Sequence, residues 1–521
     1  MYGIYIELLQ KVGAVMPTIT NNDFSNTGSV PVAMDLSSDP TFSGNTLTNV
    51  GLIALGYHGG VLNNNGIIRN RTFGGYVDIT NILLENATVA SGTSLTIEPG
   101  SVLKMVDTYD GAVLSVAGSL IADGSESETI YVTSIKDDNV GNPTDTNGDG
   151  ATTSPDGDDW GAIRFLPTSD DVTSIVDNIH VRYGKHGIIF TDAAPTVDSV
   201  TGLSCRYLGF VAESGSTVHI ENSTIQNCGW DPIAISTTSN PTFSNITFNS
   251  NGSNGVSLLE SNNFSTYYYG FNAGDLYFDT RNVMSTNTTI TPYSIAGYTD
   301  MPFIMHYQFF VGENTTVSVA PKVILKGNHT LYVDGALRVL GTVADPVIFT
   351  SEKDDSAGGD SNNDGNDSAP NRGESLRMYF RASSIDSSNL VKNAQFRYSS
   401  NAIYFENADA KIDSSLFQLT SDHAIRIYGN SAPDISNNRF ENIGQATSSY
   451  RRHSVYMDMF TDPTFSNNIE SNVSLKGLGI NYGNWGSDAT IPYRSFAGVD
   501  TVTYVLHGNI DIPSGTKIII P

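Results

Sequence analysis

The sequence predicts an all-β fold: a right-handed parallel β-helix, or β-solenoid, wound in coils of about 22 residues. Three observations predict it. Apolar residues alternate with Ser, Thr and Asn in short runs, which is strand periodicity and not helix periodicity. The runs are separated by turns rich in Asn and Gly, residues that tolerate the left-handed backbone. Whole blocks of such runs return far along the chain, and their spacing varies by about one coil.

The fine repeat is clearest at Thr217-Val-His-Ile-Glu-Asn-Ser-Thr-Ile-Gln-Asn-Cys-Gly-Trp-Asp-Pro-Ile-Ala-Ile. It is followed by Pro241-Thr-Phe-Ser-Asn-Ile-Thr-Phe-Asn, in the same order of strand, Asn turn and strand. Ala432-Pro-Asp-Ile-Ser-Asn-Asn-Arg-Phe-Glu-Asn and Pro17-Thr-Ile-Thr-Asn-Asn-Asp-Phe-Ser-Asn are further coils. Identical Asn positions on successive coils can form hydrogen-bonded ladders. Ile4 to Val15 is the only helical candidate.

The long repeat is fixed by two landmarks. Asp39-Pro-Thr-Phe-Ser, Asn240-Pro-Thr-Phe-Ser and Asp462-Pro-Thr-Phe-Ser are the first; Glu98-Pro, Ala320-Pro and Ile520-Pro are the second. From Pro to Pro the separations are 59, 80 and 58 residues. The excess in the middle copy is one coil, the insertion that a stacked core tolerates best. Between Thr88 and Phe165 lie three strand-like runs, then an acidic loop ending at Asp158-Asp-Trp-Gly. The same order returns between Thr315 and Phe380. The boundaries that follow are residues 1–70 (the end of one super-repeat), 71–292 and 293–493 (two complete copies) and 494–521 (the start of another). The super-repeat is about 200–220 residues. A single continuous helix of this length would extend on the order of 100–115 Å. The expectation is a piece of a larger protein, or a subunit that stacks end to end.

Composition narrows the function. The formal charge is −27, with 54 acidic and 27 basic residues. That opposes a nucleic-acid partner, which needs a basic surface, and suits a cation-binding one. No apolar run reaches the length of a membrane span. The first residues, Met1-Tyr-Gly-Ile-Tyr-Ile-Glu-Leu, lack the basic start and long apolar core of a signal peptide. Cys205 and Cys228 form no metal or redox motif. Five residues beyond each stands an apolar strand residue, Phe210 or Ile233, so the two fit stacked positions on adjacent coils. A disulfide and a pair of buried thiols both satisfy that spacing.

These coils resemble the right-handed β-helix repeats of large bacterial secreted and cell-surface proteins of the adhesin-like type. The order strand, Pro-Gly, strand, Ala117-Gly-Ser-Leu-Ile-Ala-Asp-Gly, strand, Thr-Ser-x-Lys-Asp-Asp, acidic loop and Trp-Gly carries the resemblance. It implies an extracellular or cell-surface location. It implies a fold more than an activity, because this fold carries lyases, hydrolases, adhesins, phage spikes and passive spacers.

The acidic loops are the strongest chemical constellation. Asp145-Thr-Asn147-Gly-Asp149-Gly and Asp360-Ser-Asn362-Asn-Asp364-Gly share the pattern Asp-x-Asn-x-Asp-Gly. Alternate oxygen-bearing residues of a tight loop can face one hard cation, and Gly permits the turn. The expected cofactor is a structural calcium, with Asp156 and Asp367 as further ligands. Asp156 and Asn371 stand where a helix-flanked calcium loop would carry its bidentate Glu, so this is not that motif. Tyr267, Tyr268 and Tyr269, in the extra coil, are candidates for contact with a glycan or a partner chain. Trp160 reads as packing. Complete polygalacturonase-like or pectate-lyase-like constellations are missing: Asp158-Asp159 and Gly56-Tyr-His-Gly-Gly60 fall on distant coils, and His180-Val-Arg182-Tyr-Gly-Lys185-His186 reads as an exposed turn. The expectation is therefore a non-enzymatic, calcium-stabilised structural or adhesive rod. A polysaccharide-binding or polysaccharide-degrading protein is the first alternative, marked by a groove of stacked acidic, Arg and aromatic residues. A phage-type spike is the second.

Overall fold

The computed structural model describes residues 3–6, 16–106, 111–202, 204–236, 238–251, 256–259, 276–278, 283–292, 294, 300–305, 308–362, 364, 367–444 and 452–520. They fall into two compact units, Met1–Asn272 with Ile295–Gly297, and Ala273–Ser294 with Tyr298–Pro521. Tyr267, Tyr268 and Tyr269 lie outside the described residues.

Each unit is a parallel β-solenoid. In the first, Val32–Met34, Leu55–Tyr57, Asn81–Leu83, Val102–Met105 and Ile130–Ser134 pair in parallel, one coil to the next. A second row runs from Ala87–Val89 through Leu114–Val116, Ile163–Phe165, Ile188–Thr191 and Phe210–Glu213 to Ile233–Ser236. The register moves 22 residues from Ile188 to Phe210 and 23 from Phe210 to Ile233. From Leu114 to Ile163 it moves 49, because the acidic loop is inserted in that coil. The second unit repeats the scheme: Leu331 pairs with Met378, 47 residues on, and Ile403 with Ile425, 22 on.

Alternation decides what faces inward. In Ser94–Ile97 the apolar Leu95 and Ile97 are buried, while Ser94 and Thr96 are half-exposed. The buried rows stack like on like. Phe349, Phe396, Phe417 and Phe440 form a column with ring centroids 4.9, 4.9 and 5.0 Å apart and nearly parallel planes. That distance is the interstrand spacing itself, so each ring rests flat on the next.

Asn does the polar work at the corners. Asn222, Asn245, Asn437 and Asn467 all have positive φ, near +50°, as the turns require. Asn245 Nδ2 donates to Asn222 Oδ1 at 2.9 Å, and Asn467 Nδ2 to Asn437 Oδ1 at 3.1 Å. A second, buried ladder satisfies the backbone: Asn438 Nδ2 donates to Ile412 O, while Asn468 Oδ1 receives the Asn438 backbone N–H at 3.0 Å. The three Pro-Thr-Phe-Ser landmarks become strands Thr41–Ser43, Thr242–Ser244 and Thr464–Ser466, with one shared burial pattern.

Ile4–Ile6 is a strand paired with Val32–Met34 and not the start of a helix. The β-branched Ile4 and Ile6 find a ready strand partner in the next coil, and that outweighs the helix-like spacing. Residues 7–15 lie outside the described ones. Among the described residues the one helical element is the 3-10 turn Asp386–Ser388. Trp160 is fully buried, its Nε1–H donating to Arg182 O at 2.7 Å. Cys205 and Cys228 are buried thiols, not joined by a disulfide, on adjacent coils, where Gly229 N donates to Cys205 O.

The phenylalanine column yields a direct expectation. Phe417→Ala opens a gap between two stacked rings and should cost about 3–5 kcal/mol. Chemical denaturation would show it as a lowered midpoint. An unchanged midpoint would mean that the column is not packed as described.

Candidate cation centres and an aromatic face

The first acidic loop leaves the strand Ile130–Ser134, and the second leaves Val347–Thr350. Both loops close over a lysine that is fully buried. Lys104 Nζ donates to the carbonyls of Asp137 (2.8 Å) and Thr144 (2.7 Å). Lys326 Nζ donates to Gly359 O (2.7 Å) and Ser361 Oγ (2.8 Å). Burial pushes both ammonium groups down to about 8, against the pull of nearby carboxylates. The next layer also repeats. Thr133 Oγ1 donates to Asp137 at 2.7 Å and Thr350 Oγ1 to Asp354 at 2.6 Å. Arg182 stands 3.6 Å from Asp137, and Arg397 3.3 Å from Asp354. Lys136 pairs with Asp159, as Lys353 does with Glu374.

Inside this frame three carboxylates converge in each loop: Asp138, Asp145 and Asp149 in the first, Asp355, Asp360 and Asp364 in the second. In each group one oxygen per residue lies within 4.8 Å of the others. Oxygens on opposite sides of a calcium ion, each at about 2.3–2.6 Å, can span that distance. Asp138 Oδ1 and Asp149 Oδ1 are buried with no hydrogen-bond partner among the described residues, and so are Asp355 Oδ1 and Asp364 Oδ1. A buried carboxylate oxygen without a donor is costly, and a proton, a water or a cation would each relieve that cost. Burial, then repulsion from Asp145, raises the Asp138 pKa; burial and Asp360 do the same to Asp355. The donor set, all oxygen, fits a hard divalent cation.

The predicted residues take several places. Asp145, Asp149, Asp360 and Asp364 stand in the two groups. Asn147 Nδ2 donates to Asp149 Oδ2 at 2.9 Å and Asn362 Nδ2 to Asp364 Oδ2 at 2.7 Å, so each amide clamps a carboxylate. Thr153 and Ser368 donate to the same two oxygens. Asp145 Oδ1 and Asp360 Oδ1 each accept the backbone N–H four residues on. Asp156 lies outside the groups, its Oδ1 accepting from Gly157 N, and Asp367 is exposed beside Asp364. Asp138 and Asp355 stand in the two groups although the sequence did not single them out. Their signal was the Asp-Asp pair ending the third strand-like run of both copies.

Each loop also ties coils together. In the first unit Thr146 O accepts from Ile53 N, Asn142 N donates to Thr80 Oγ1, and Lys104 and Asp137 hold the loop's base. Leu55, Asn81, Leu103 and Val132 mark four successive coils in register, so one loop spans all four. The basic group is part of this frame. Arg182 and His180 are half-buried and not an exposed turn; Arg182 lies over the Tyr131 ring and beside Asp137.

A second constellation, in the second unit, was not foreseen. Its outward row reads Phe310, Tyr332, Tyr379 and Tyr404 in strand register, with ring centroids 5.0, 5.6 and 5.6 Å apart. Arg426 continues the row, 5.5 Å from both the Tyr404 and Tyr456 rings, and Gly479 follows Tyr456. Beside this end lies a hollow of about 620 Å³ lined by His423, Arg426, Arg452, Tyr456, Tyr482 and His507, among others. Asp422 pairs with three of these residues, 2.5 Å from Arg426, 2.7 Å from Arg452 and 3.4 Å from His423.

A family described as a right-handed β-helix region matches residues 163–294. The chain is a right-handed parallel β-helix repeat protein. No curated protein and no solved structure matches it.

The histidines of this β-helix give a pH expectation. Burial pushes His423 down to about 2 and His453 to about 4; Arg426 and His453 beside the first, and His507 and Arg452 beside the second, act in the same direction. Both pKa values are lowered on folding, so the unfolded chain binds protons first. Stability is then full above about 6.5 and falls as the pH drops toward 4. Between pH 7 and 5 the loss should be on the order of 2 kcal/mol per histidine. Denaturation of wild type and His453→Gln at both pH values would measure it. An equal slope in the two proteins would contradict the assignment.

Proposed function

We propose that this protein is an extracellular or cell-surface structural and adhesive β-helix rod whose coils are stapled by calcium. One observation carries the reading: the complete staple occurs twice. Buried lysine, Thr–Asp bond, arginine partner, three convergent carboxylates and their unpartnered oxygens all recur at matching positions. Three carboxylates and one ammonium leave about two negative charges, the complement of a divalent ion. Asp138, Asp145 and Asp149 would hold one ion, and Asp355, Asp360 and Asp364 the other. The ion's chemistry is cross-linking, and the reading assigns no catalytic residue. A long insertion costs little when it leaves from a corner and is tied back across several coils. End-to-end association of copies belongs to the same reading.

The polysaccharide-binding alternative has one specific observation in its favour, the tyrosine row with its arginines on the second unit. Binding of glycans and a structural role are compatible in an adhesive rod.

Thermal unfolding with calcium and with a chelator tests the main reading. At a calcium concentration 100 times Kd each site should add about 2.7 kcal/mol. Asp145→Asn with Asp360→Asn should remove most of that gain. Electron microscopy of the same samples would show whether rods shorten or disassemble on chelation. A melting curve indifferent to calcium would remove the staple from the account.

A further inference from the structure

The hollow on the second unit has a charge unlike that of the chain. The protein carries −27, yet among the described residues the lining holds two guanidinium groups and no carboxylate. Asp422 pairs with both arginines and offsets one of them, so these three groups sum to one positive charge; the next carboxylate, Asp458, is held by Asn481. The histidines add none at neutral pH. His453 Nδ1 lies 2.9 Å from Gly477 O, and His423 Nδ1 accepts the backbone N–H of His453 at 3.0 Å. Each imidazole therefore spends its bonds within the fold as a neutral ring.

The shape follows from one residue. The outward row is filled by rings and the Arg426 side chain as far as Tyr456, and its next position is Gly479. A Cβ there would come within 2.6 Å of the His453 ring and 2.8 Å of the Tyr456 ring. Glycine is thus required, and it leaves the row one side chain short. Tyr482, 65% exposed, stands at the rim, with Gly508 beneath its ring. The volume suits a small ligand.

The row and the hollow join at Arg426. Along the row the Tyr332, Tyr379 and Tyr404 rings are tilted by 37° and 48° against one another, and the Tyr379 hydroxyl donates to Glu406, so the row presents phenol groups with one carboxylate beside them. Hydroxyls repeating at the coil spacing form a hydrogen-bonding track for an extended, polyhydroxylated chain. Guanidinium groups bind a carboxylate through charge-assisted bonds.

We propose that the hollow binds the carboxylate of an acidic sugar residue, while the tyrosine row carries the neighbouring residues of the same glycan. This rests on the polysaccharide-binding reading and adds the ligand's charge and its place on the second unit. The net charge of −27 opposes non-specific binding of a polyanion, so a local pair of arginines is what such a ligand needs.

The test is calorimetric titration of the full chain, at fixed calcium, with an oligo-uronate and with the same oligosaccharide after its carboxyls are reduced to alcohols. The expected result is roughly tenfold or tighter binding of the acidic form, weakened by salt. Arg452→Gln should abolish that preference and leave binding of the reduced form unchanged. Tyr482→Ala, at an exposed rim position, should weaken both forms without altering the melting curve, and it decides the matter if Arg452→Gln fails to fold. Equal affinity for the two forms would overturn the acidic-sugar assignment while keeping glycan binding. Absence of binding by either form would overturn both.

Discussion

Parallel pairing between successive coils makes the core of each coil the floor of the next. A residue pointing inward at one level must stack on its counterpart one coil away, at the spacing of a hydrogen-bonded strand pair. The phenylalanine column from Phe349 to Phe440 shows the consequence in the core. The Asn ladders show it at the corners, where one row of Asn takes up the left-handed turns and the row beside it satisfies the backbone of the neighbouring coil. Extra chain can leave only where the pairing is interrupted. Both acidic loops do so, stretching one coil to 49 or 47 residues without disturbing the register on either side.

An excursion of that size has to satisfy its own backbone and its own charge. The buried lysine does the first by donating two hydrogen bonds to the loop's base, and its positive charge lowers the repulsion among the carboxylates. It does not reach the inner oxygens, which stay without donors. The loop therefore presents three convergent carboxylates that a bound cation would bridge. Asn147 and Asn362 fit this account as clamps, since each fixes the far oxygen of a carboxylate whose near oxygen faces the centre.

The sequence carried the fold almost entirely in local form. Alternation, Asn turns and the returning Pro-Thr-Phe-Ser strands each specify a coil. The acidic loops were legible for the same reason, as a short motif written twice. What was hidden depends on coil length. Asp138 precedes Asp145 by seven residues, while Asp355 precedes Asp360 by five, so no fixed spacing marks the third carboxylate. The tyrosine row is spaced by 22, 47 and 25 residues from Phe310 to Tyr404, because a loop intervenes. A linear reading drew attention instead to the contiguous Tyr267, Tyr268 and Tyr269. Arg426, Arg452 and His507 come together only through stacking, and nothing in their own neighbourhoods announces it.

The most direct measurement is calcium stoichiometry, by equilibrium dialysis or titration calorimetry of the whole chain. The account predicts two ions per chain in the wild type. It predicts one after Asp145→Asn with Asp149→Asn, and one after Asp360→Asn with Asp364→Asn. Stoichiometric binding that survives all four substitutions, or no calcium bound at millimolar concentration, would contradict it.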